Sequence, residues 1–186
     1  MSRRLIGMGA IVLSACLYGG YNVAVEMGFH VNLTDSAPHG IWRTRPLDRQ
    51  LTRGDLVEVC APDQPLMRIM EQRGYIETGS CNDTHLIPFL KPVAAVAGDT
   101  VVVQHGHDVI VNGLSLPHTN AMPNIPAWPD GTYTVEAGTI WVLSSYSAGS
   151  LDSRYFGPVP LQLVNGLVQP ILVAGDVSVL TPWRHL

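Results

Sequence analysis

Residues 88–103, PFLKPVAAVAGDTVVV, predict the fold of this chain. A short apolar run is followed by the turn-forming pair Gly98-Asp99 and then by a second run rich in β-branched residues. Such strand–turn–strand patterns are typical of antiparallel sheets. The stretch also contains Lys91, the single lysine of a chain with 11 basic residues, in apolar surroundings.

The same combination of a tight turn and a β-branched run recurs along the chain. The turn is Gly-Asp at 54–55, 98–99 and 175–176, and Gly138 alone takes its place once. An apolar run that ends in Asn112-Gly113 indicates a hairpin. The predicted strands are residues 56–59, 100–103, 108–111, 139–143 and 177–180.

The rest of the chain beyond residue 28 adds little helix. Residues 66–73 are the best candidate for one, and residues 117–131, with four prolines, predict a long irregular loop. No change in composition divides residues 29–186, so we predict one mainly β domain there. The formal net charge is -4 and no basic stripe exists, so we expect no nucleic-acid partner.

The first 28 residues have a different character. Arg3 and Arg4 precede an uncharged stretch, residues 5–25, that Glu26 closes. About 20 helical residues span the roughly 30 Å of a bilayer core, and arginines mark the cytoplasmic side. We therefore predict a single-pass N-terminal transmembrane helix within residues 1–28, with residues 29–186 outside the cytoplasm.

Two alternatives remain for this N-terminal segment, and both also export the domain. Residues 5–12 could serve as the apolar part of a cleaved signal peptide. Residues 13–16, LSAC, resemble a lipobox, in which Cys16 would be lipidated. Export leaves Cys60 and Cys81 in an oxidising compartment, where we expect either a disulfide or two buried thiols.

Two segments carry residues suited to nucleophilic catalysis. Ser36 precedes Pro38 and Gly40 in a turn-forming stretch, residues 34–42, which is either an ordinary surface turn or a fixed presentation of the hydroxyl. Burial among apolar residues would lower the pKa of Lys91, so that its neutral amine could take the proton of a serine hydroxyl. The alternative is a lysine that reaches water along its strand.

A third polar segment is S-x-D-S-R-Y-F-G-P at residues 150–158. Asp152 and Arg154, two apart on an extended segment, would share a face and could pair. Nearby serine hydroxyls, such as that of Ser150, could bond a buried amine. The alternative is a polar turn before a strand.

Together these segments resemble the signal peptidase I family, and most closely its conjugative-transfer branch, the TraF pilin-processing peptidases. The resemblance covers nearly the whole chain and keeps one order: an anchor, S-x-P-x-G at 36–40, the lysine strand ending in Gly-Asp at 98–99, and the motif at 150–158. It implies a signal-peptidase/LexA-like β-barrel catalytic domain. The surroundings of Cys60 and Cys81 also look like this branch.

The resemblance implies the following roles. Ser36 is the nucleophile, Lys91 is the general base, and Ser150 orients the lysine. Asp152 and Arg154 support the site, with Asp152 as the essential one.

The oxyanion hole would combine the Ser36 amide with the hydroxyl of Thr34. The resemblance also implies that the domain lies in the periplasm, at the bacterial inner membrane. The implied partner is a pilin or another exported precursor, cleaved and in some relatives cyclised, within a conjugation or type IV secretion system. No cofactor is implied.

The chain departs from the family pattern at two places. Ala37 and residues 145–147 replace the Met and the Gly-Asp-Asn of ordinary signal peptidases, which favours a dedicated substrate.

Other interpretations of the sequence are less well supported. His39 lies too close in sequence to Ser36 for a Ser-His-Asp triad. His105-x-His107 lacks a third ligand, so no metal site is predicted. The export segment of this chain argues against a self-cleaving LexA-like repressor, which has no such segment. The remaining alternative is a non-enzymatic periplasmic β-domain scaffold or lipoprotein.

Overall fold

The computed structural model describes residues 3–183, with side-chain surroundings for Met8 and from Ile11 onward. Residues 1–2 of the predicted membrane segment, residues 184–186 of the predicted domain and the side chains of Arg3 and Arg4 lie outside this description. The helices are α1 (Arg3–Glu26), α2 (Pro65–Gln72) and α3 (Ser153–Phe156), with 3-10 turns at Leu161–Leu163 and Val177–Leu180. The strands are β1 (Phe29–Asn32), β2 (Gly40–Arg45), β3 (Leu56–Val59), β4 (Phe89–Ala95), β5 (Thr100–Val103), β6 (Ile110–Val111), β7 (Leu114–Ser115), β8 (Gly131–Thr134), β9 (Thr139–Val142), β10 (Val159–Pro160) and β11 (Val164–Val173).

The strands form two antiparallel sheets. The larger sheet has the order β1-β2-β11-β3-β4-β9-β10, and the smaller has the order β7-β6-β5-β8. The larger sheet curls into a half-barrel, and its edge strands β1 and β10 are not paired with each other within residues 3–183. The mainly β prediction is confirmed, and the expected barrel is an open half-barrel.

Three apolar clusters fill the described part of the chain. The main one lies between the large sheet and α2, where the Cys60–Cys81 disulfide joins the end of β3 to the segment after α2. A second cluster connects the small sheet to β9 and contains Trp141. The third is small and lies directly under the segment that carries Ser36; its buried members are Ala37, Trp42, Val168 and Leu180.

α1 coincides with the predicted N-terminal helix over 24 residues. However, no helix within residues 3–183 combines the length and apolar character needed to cross a bilayer. The helix is confirmed and the transmembrane prediction is not supported. Gly19, Gly20 and Asn22 interrupt the apolar character of its second half.

Most of the predicted strands and the short helix are observed. Residues 56–59 and 100–103 are β3 and β5, and the turn between β6 and β7 has positive φ at Asn112 (50°) and Gly113 (85°), as a hairpin turn of the primed type requires. The strand predicted at residues 177–180 is wrong. Asp176 there accepts hydrogen bonds from the amide (2.8 Å) and the hydroxyl (2.6 Å) of Ser178, which favours a 3-10 turn.

Candidate active site

The segment that carries Ser36, residues 33–39, connects β1 to β2 and is called the Ser36 loop below. Its ends are held together because Asn32 and Gly40 are paired across the two strands. Gly40 has φ of 145°, and a Cβ at this position would collide with the backbone carbonyl of Leu172 in β11. A glycine is therefore required where the loop enters β2.

Buried contacts under the Ser36 loop fix its backbone. The side chain of Ala37 is fully buried, and the indole N–H of Trp42 donates to the Pro38 carbonyl over 3.1 Å. The Ser144 hydroxyl donates to the Ser36 carbonyl over 3.2 Å. Ser36 itself is half-buried, and its amide makes no hydrogen bond with the described residues. That amide is thus free to donate to a bound group.

Lys91 lies in β4 between β3 and β9, with Val57 as its cross-strand neighbour. It is 2% exposed, and its Nζ donates to the Ser150 hydroxyl over 2.8 Å and lies 5.6 Å from the centre of the Phe89 ring. Burial lowers the pKa of Lys91 to about 8, against an opposing effect of the Asp152 carboxylate and with a smaller contribution from Arg154. At pH 7 roughly a tenth of the amine is therefore neutral, far more than for a lysine with the ordinary pKa of about 10.4.

Residues 150–157, called the Asp152 segment below, form a buried polar structure. Asp152 and Arg154 are 0% and 1% exposed, and the guanidinium Nε and Nη2 donate to the two carboxylate oxygens over 2.8 and 2.9 Å. The carboxylate also accepts from the Ser144 amide over 3.0 Å and from the Arg154 amide over 3.2 Å. Both charges are thus paired and hydrogen-bonded, as burial requires.

Arg154 also connects three loops to the site. Its Nη1 donates to the carbonyls of His118 (2.9 Å) and Ala148 (3.1 Å), and its Nη2 donates to the carbonyl of Ser144 (2.8 Å). In the same segment, the Ser153 hydroxyl accepts from the amide of Val142 in β9 over 2.9 Å. The Asp152 segment therefore fixes the end of β9 and the long loop before β8.

The expected pairing of Asp152 and Arg154 is observed, but the expected geometry is wrong. The pair does not lie on an extended segment. Asp152 caps the single helical turn α3 (Ser153–Phe156), and its side chain accepts the Arg154 amide. Two residues that are two positions apart can face each other in a capped turn, just as they can in a strand.

Ser144 connects the two halves of the site. Its hydroxyl bonds the Ser36 carbonyl, its amide bonds the Asp152 carboxylate, and the preceding Leu143 amide donates to the Pro92 carbonyl, next to Lys91, over 3.2 Å. Among the described residues, no hydrogen bond joins the Ser36 hydroxyl to the Lys91 amine. The Ser36 hydroxyl instead lies 3.0 Å from the hydroxyl of Thr34.

Two residues that the sequence did not predict contribute to the site. Asn32 is buried at the end of β1, and its side chain bonds the Ser36 loop from inside; Ser144 bridges the loop to Asp152. Neither residue belongs to a recognisable sequence motif, so the sequence carried no signal for either. His39 contacts Asp35 over 3.1 Å and not Ser36, and residues 3–183 contain no group of three or more His, Cys, Asp or Glu side chains placed to bind a metal.

Comparisons with known proteins identify the family of this chain. The family model described as "Signal peptidase, peptidase S26" matches residues 6–173. A probable conjugal transfer protein TraF of Sinorhizobium fredii is 36% identical over 90% of this chain and 88% of its own length. A conjugal transfer protein TraF of Agrobacterium fabrum is 34% identical over 90% and 93%, and a plasmid transfer protein TraF of Escherichia coli is 32% identical over 90% and 92%.

Among solved structures, a signal peptidase I of Enterococcus faecalis is similar with a TM-score of 0.37 and 23% identity, over 64% of this chain and 97% of that one. This TM-score and identity are too low to support a family assignment, which rests on the sequence comparisons. The family model and the curated relatives each cover most of the chain. This chain belongs to the signal peptidase family, peptidase S26, in the branch that contains its TraF relatives.

Proposed function

We propose that this peptidase is a serine endopeptidase with Ser36 as the nucleophile and neutral Lys91 as the general base. The observation that carries the proposal is the state of the Lys91 amine: it is buried, its pKa is lowered to about 8, and its hydrogen bond to Ser150 leaves a nitrogen lone pair available when the amine is neutral. An amine with these properties can accept a proton from a hydroxyl near neutral pH.

Each step of the proposed reaction uses groups in the site. The Ser36 oxygen forms a bond to the scissile carbonyl carbon while its proton moves to Lys91 Nζ. We propose that the Ser36 amide, which makes no hydrogen bond with the described residues, donates to the oxyanion. The Thr34 hydroxyl, which donates to Asn32 in the free enzyme, is the proposed second donor and would turn toward the oxyanion. Collapse breaks the carbon–nitrogen bond, and Lys91 returns the proton to the leaving amine.

The ester is then resolved by water or by an amine of the substrate itself. In either case Lys91 takes a proton from the incoming group, and the Ser36 oxygen leaves and recovers it. Water gives a linear product, whereas the substrate's own N-terminus gives a cyclic one.

The buried ion pair supports the electrostatic part of this proposal. Asp152 favours the protonated form of Lys91 and Arg154 the neutral form, so the pair limits how far burial lowers the lysine pKa. A base whose pKa lies near the working pH suits proton transfer in both directions. We propose that Asp152 and Arg154 act in this way and by fixing Ser144, rather than by touching substrate.

We propose that the substrate is a pilin or another exported precursor of a conjugation system, and that the domain works in the periplasm. The names of the conjugal transfer relatives support the link to a conjugation system. The Cys60–Cys81 disulfide supports the second, because such bonds persist in oxidising compartments. Other conjugation or type IV secretion components are the proposed partners.

Co-expression with a candidate pilin precursor tests the proposal. Mass spectrometry of the product identifies cleavage, and a cyclic product is lighter than the linear one by one water. We expect Ser36→Ala and Lys91→Met to abolish processing, with folding verified by circular dichroism. Ser115→Ala, an exposed serine in β7, and Arg68→Ala, an exposed cation in α2, are the matched controls and should process normally.

Processing that persists in both Ser36→Ala and Lys91→Met, with folded protein present, would refute the dyad. That result would favour the alternative of a non-enzymatic scaffold within the conjugation system.

A further inference from the structure

Ser144 lies two residues beyond the end of β9 and is fully buried. The buried ion pair holds its backbone from both sides. The Asp152 carboxylate accepts from the Ser144 amide over 3.0 Å, and Arg154 Nη2 donates to the Ser144 carbonyl over 2.8 Å. Because the two charged groups also bond each other, the three residues form one unit. The position of Ser144 is therefore determined by the ion pair.

The side chain of Ser144 connects this unit to the Ser36 loop. Its hydroxyl lies 3.2 Å from the Ser36 carbonyl and 3.3 Å from the Tyr146 amide. An amide only donates and a carbonyl only accepts, so the hydroxyl must accept from Tyr146 and give its single proton to Ser36. The bond ends on the backbone of the nucleophilic residue. It involves neither the Ser36 amide nor the hydroxyls of Ser36 and Thr34, so the roles proposed for these groups are unaffected.

We propose that Ser144 is a positioning residue that sets the place of Ser36 relative to Lys91. The Leu143 amide, one residue before Ser144, donates to the carbonyl of Pro92, which follows Lys91 in β4. Ser144 is thus attached to the strand of the base through its neighbour and to the loop of the nucleophile through its own hydroxyl. The Ser36 hydroxyl can then turn between staggered positions while its backbone stays fixed. The inference rests on the proposed Ser36–Lys91 dyad.

The bond from Ser144 differs from the other bonds that hold the loop. Within residues 3–183, the Ser144 hydroxyl is the single group that hydrogen-bonds the Ser36 backbone. Asn32 and Trp42 bond other carbonyls of the loop. Ser144→Ala therefore removes the restraint on Ser36 and leaves the rest of the loop attached. The change adds no atoms to a buried position, so the variant should fold, and thermal melting verifies this.

A thiol at position 36 reports on this position without any substrate. Ser36→Cys is prepared together with Cys16→Ser, so that the remaining cysteines, Cys60 and Cys81, form a disulfide and do not react. Iodoacetamide alkylates the thiolate: the sulfur bonds to the methylene carbon, iodide leaves, and no oxyanion develops. A nearby Lys91 ammonium stabilises the thiolate. The pH dependence of alkylation therefore gives an apparent thiol pKa that reports how close position 36 lies to Lys91.

We expect an apparent thiol pKa about one unit or more below the ordinary value of about 8.5. With Lys91→Met it should return to about 8.5 or above, because the ammonium is gone. Ser144→Ala should raise it by about half a unit or more, because the loop is no longer held near Lys91.

A double-mutant cycle and a control complete this measurement. In the Lys91→Met background, Ser144→Ala should have no further effect on the thiol pKa. Ser115→Ala, at an exposed serine of β7, is the control and should change nothing. Asp35 and His39, the titratable groups beside position 36 on its own loop, are present in every variant, so their charges do not contribute to the differences.

The enzyme with Ser36 in place gives a second, independent measurement. The probe is a synthetic peptide that spans the cleavage site mapped in the pilin precursor. Ser144→Ala should lower kcat about tenfold, the equivalent of one lost hydrogen bond, with KM unchanged. The pKa of Lys91, titrated by NMR, should stay at about 8, because Asp152, Arg154 and Ser150 remain in place.

The outcomes separate a failure of this inference from a failure of the dyad. A thiol pKa that rises with Lys91→Met and does not respond to Ser144→Ala would overturn the role of Ser144 and leave the dyad intact. An unchanged kcat in folded Ser144→Ala would overturn it too, as would a Ser144→Ala effect on the thiol that persists with Lys91→Met. A thiol pKa that does not respond even to Lys91→Met would show that position 36 does not face Lys91, and the dyad itself would fail.

Discussion

The Ser36 loop and the Asp152 segment form one site by opposite means. Most side chains of the loop are exposed, and its shape depends on a few bonds from Asn32, Trp42 and Ser144. In the Asp152 segment nearly every residue is buried, and Arg154 alone contacts the carboxylate and several backbone carbonyls. On the proposed function, this contrast is a division of work in which the exposed loop admits the polypeptide and the buried segment sets the electrostatics.

Removing Arg154 should have the largest effect on this division. Arg154→Ala leaves the Asp152 carboxylate buried without its partner, and breaking a buried pair in this way costs about 3–5 kcal/mol of the free energy of unfolding. Chemical denaturation measures that loss. Arg68→Ala, which breaks an exposed pair with Asp63, is the control and should change little. Equal stabilities of the two variants would contradict the structural role of the buried pair.

A second prediction concerns the entry to the loop. Gly40→Ala should cost about 1–3 kcal/mol, because the added methyl collides with the Leu172 carbonyl and the backbone has a φ of 145°. The displaced loop should also lower kcat/KM. Gly98→Ala is a control at positive φ (89°) with open space around it. If both variants lose the same free energy of unfolding, the close approach of β11 to the loop does not explain why position 40 is a glycine.

A third and smaller effect is expected at Ser150, where the buried segment meets the lysine. Ser150→Ala removes the hydrogen bond to Lys91 Nζ, so kcat should fall about tenfold. The same bond favours the charged amine, and its loss should move the midpoint of the pH–rate profile to lower pH. A midpoint that stays in place or rises would show that Ser150 does not bond the charged form.

The sequence predicted the buried segment better than the exposed loop. Ser150, Asp152 and Arg154 carry a specific motif, and the structure brings them together beside Lys91. Asn32 and Ser144 carry no motif. Their bonds exist only after β1, β2 and β9 are in place, so no local pattern in the chain could identify them.

The same distinction applies to the fold. Turns with positive φ, such as Asn112-Gly113, were predictable because the backbone conformation itself selects those residues. The strand predicted at residues 177–180 failed because a side-chain bond from Asp176 outweighed β propensity. β11 (Val164–Val173), the longest strand, contains Gly166 and Pro170, and pairing with two neighbours outweighs these interruptions.

Direct titration of Lys91 tests the central claim, that this amine is a base of lowered pKa. Lys91 is the only lysine, so its Cε and Nζ resonances in lysine-labelled protein are assigned without ambiguity. We predict a pKa of about 8, with the neutral amine dominant above it and kcat/KM rising with pH until the amine is neutral. A Lys91 that titrates near the ordinary lysine value of about 10.4 in the folded protein would contradict the account.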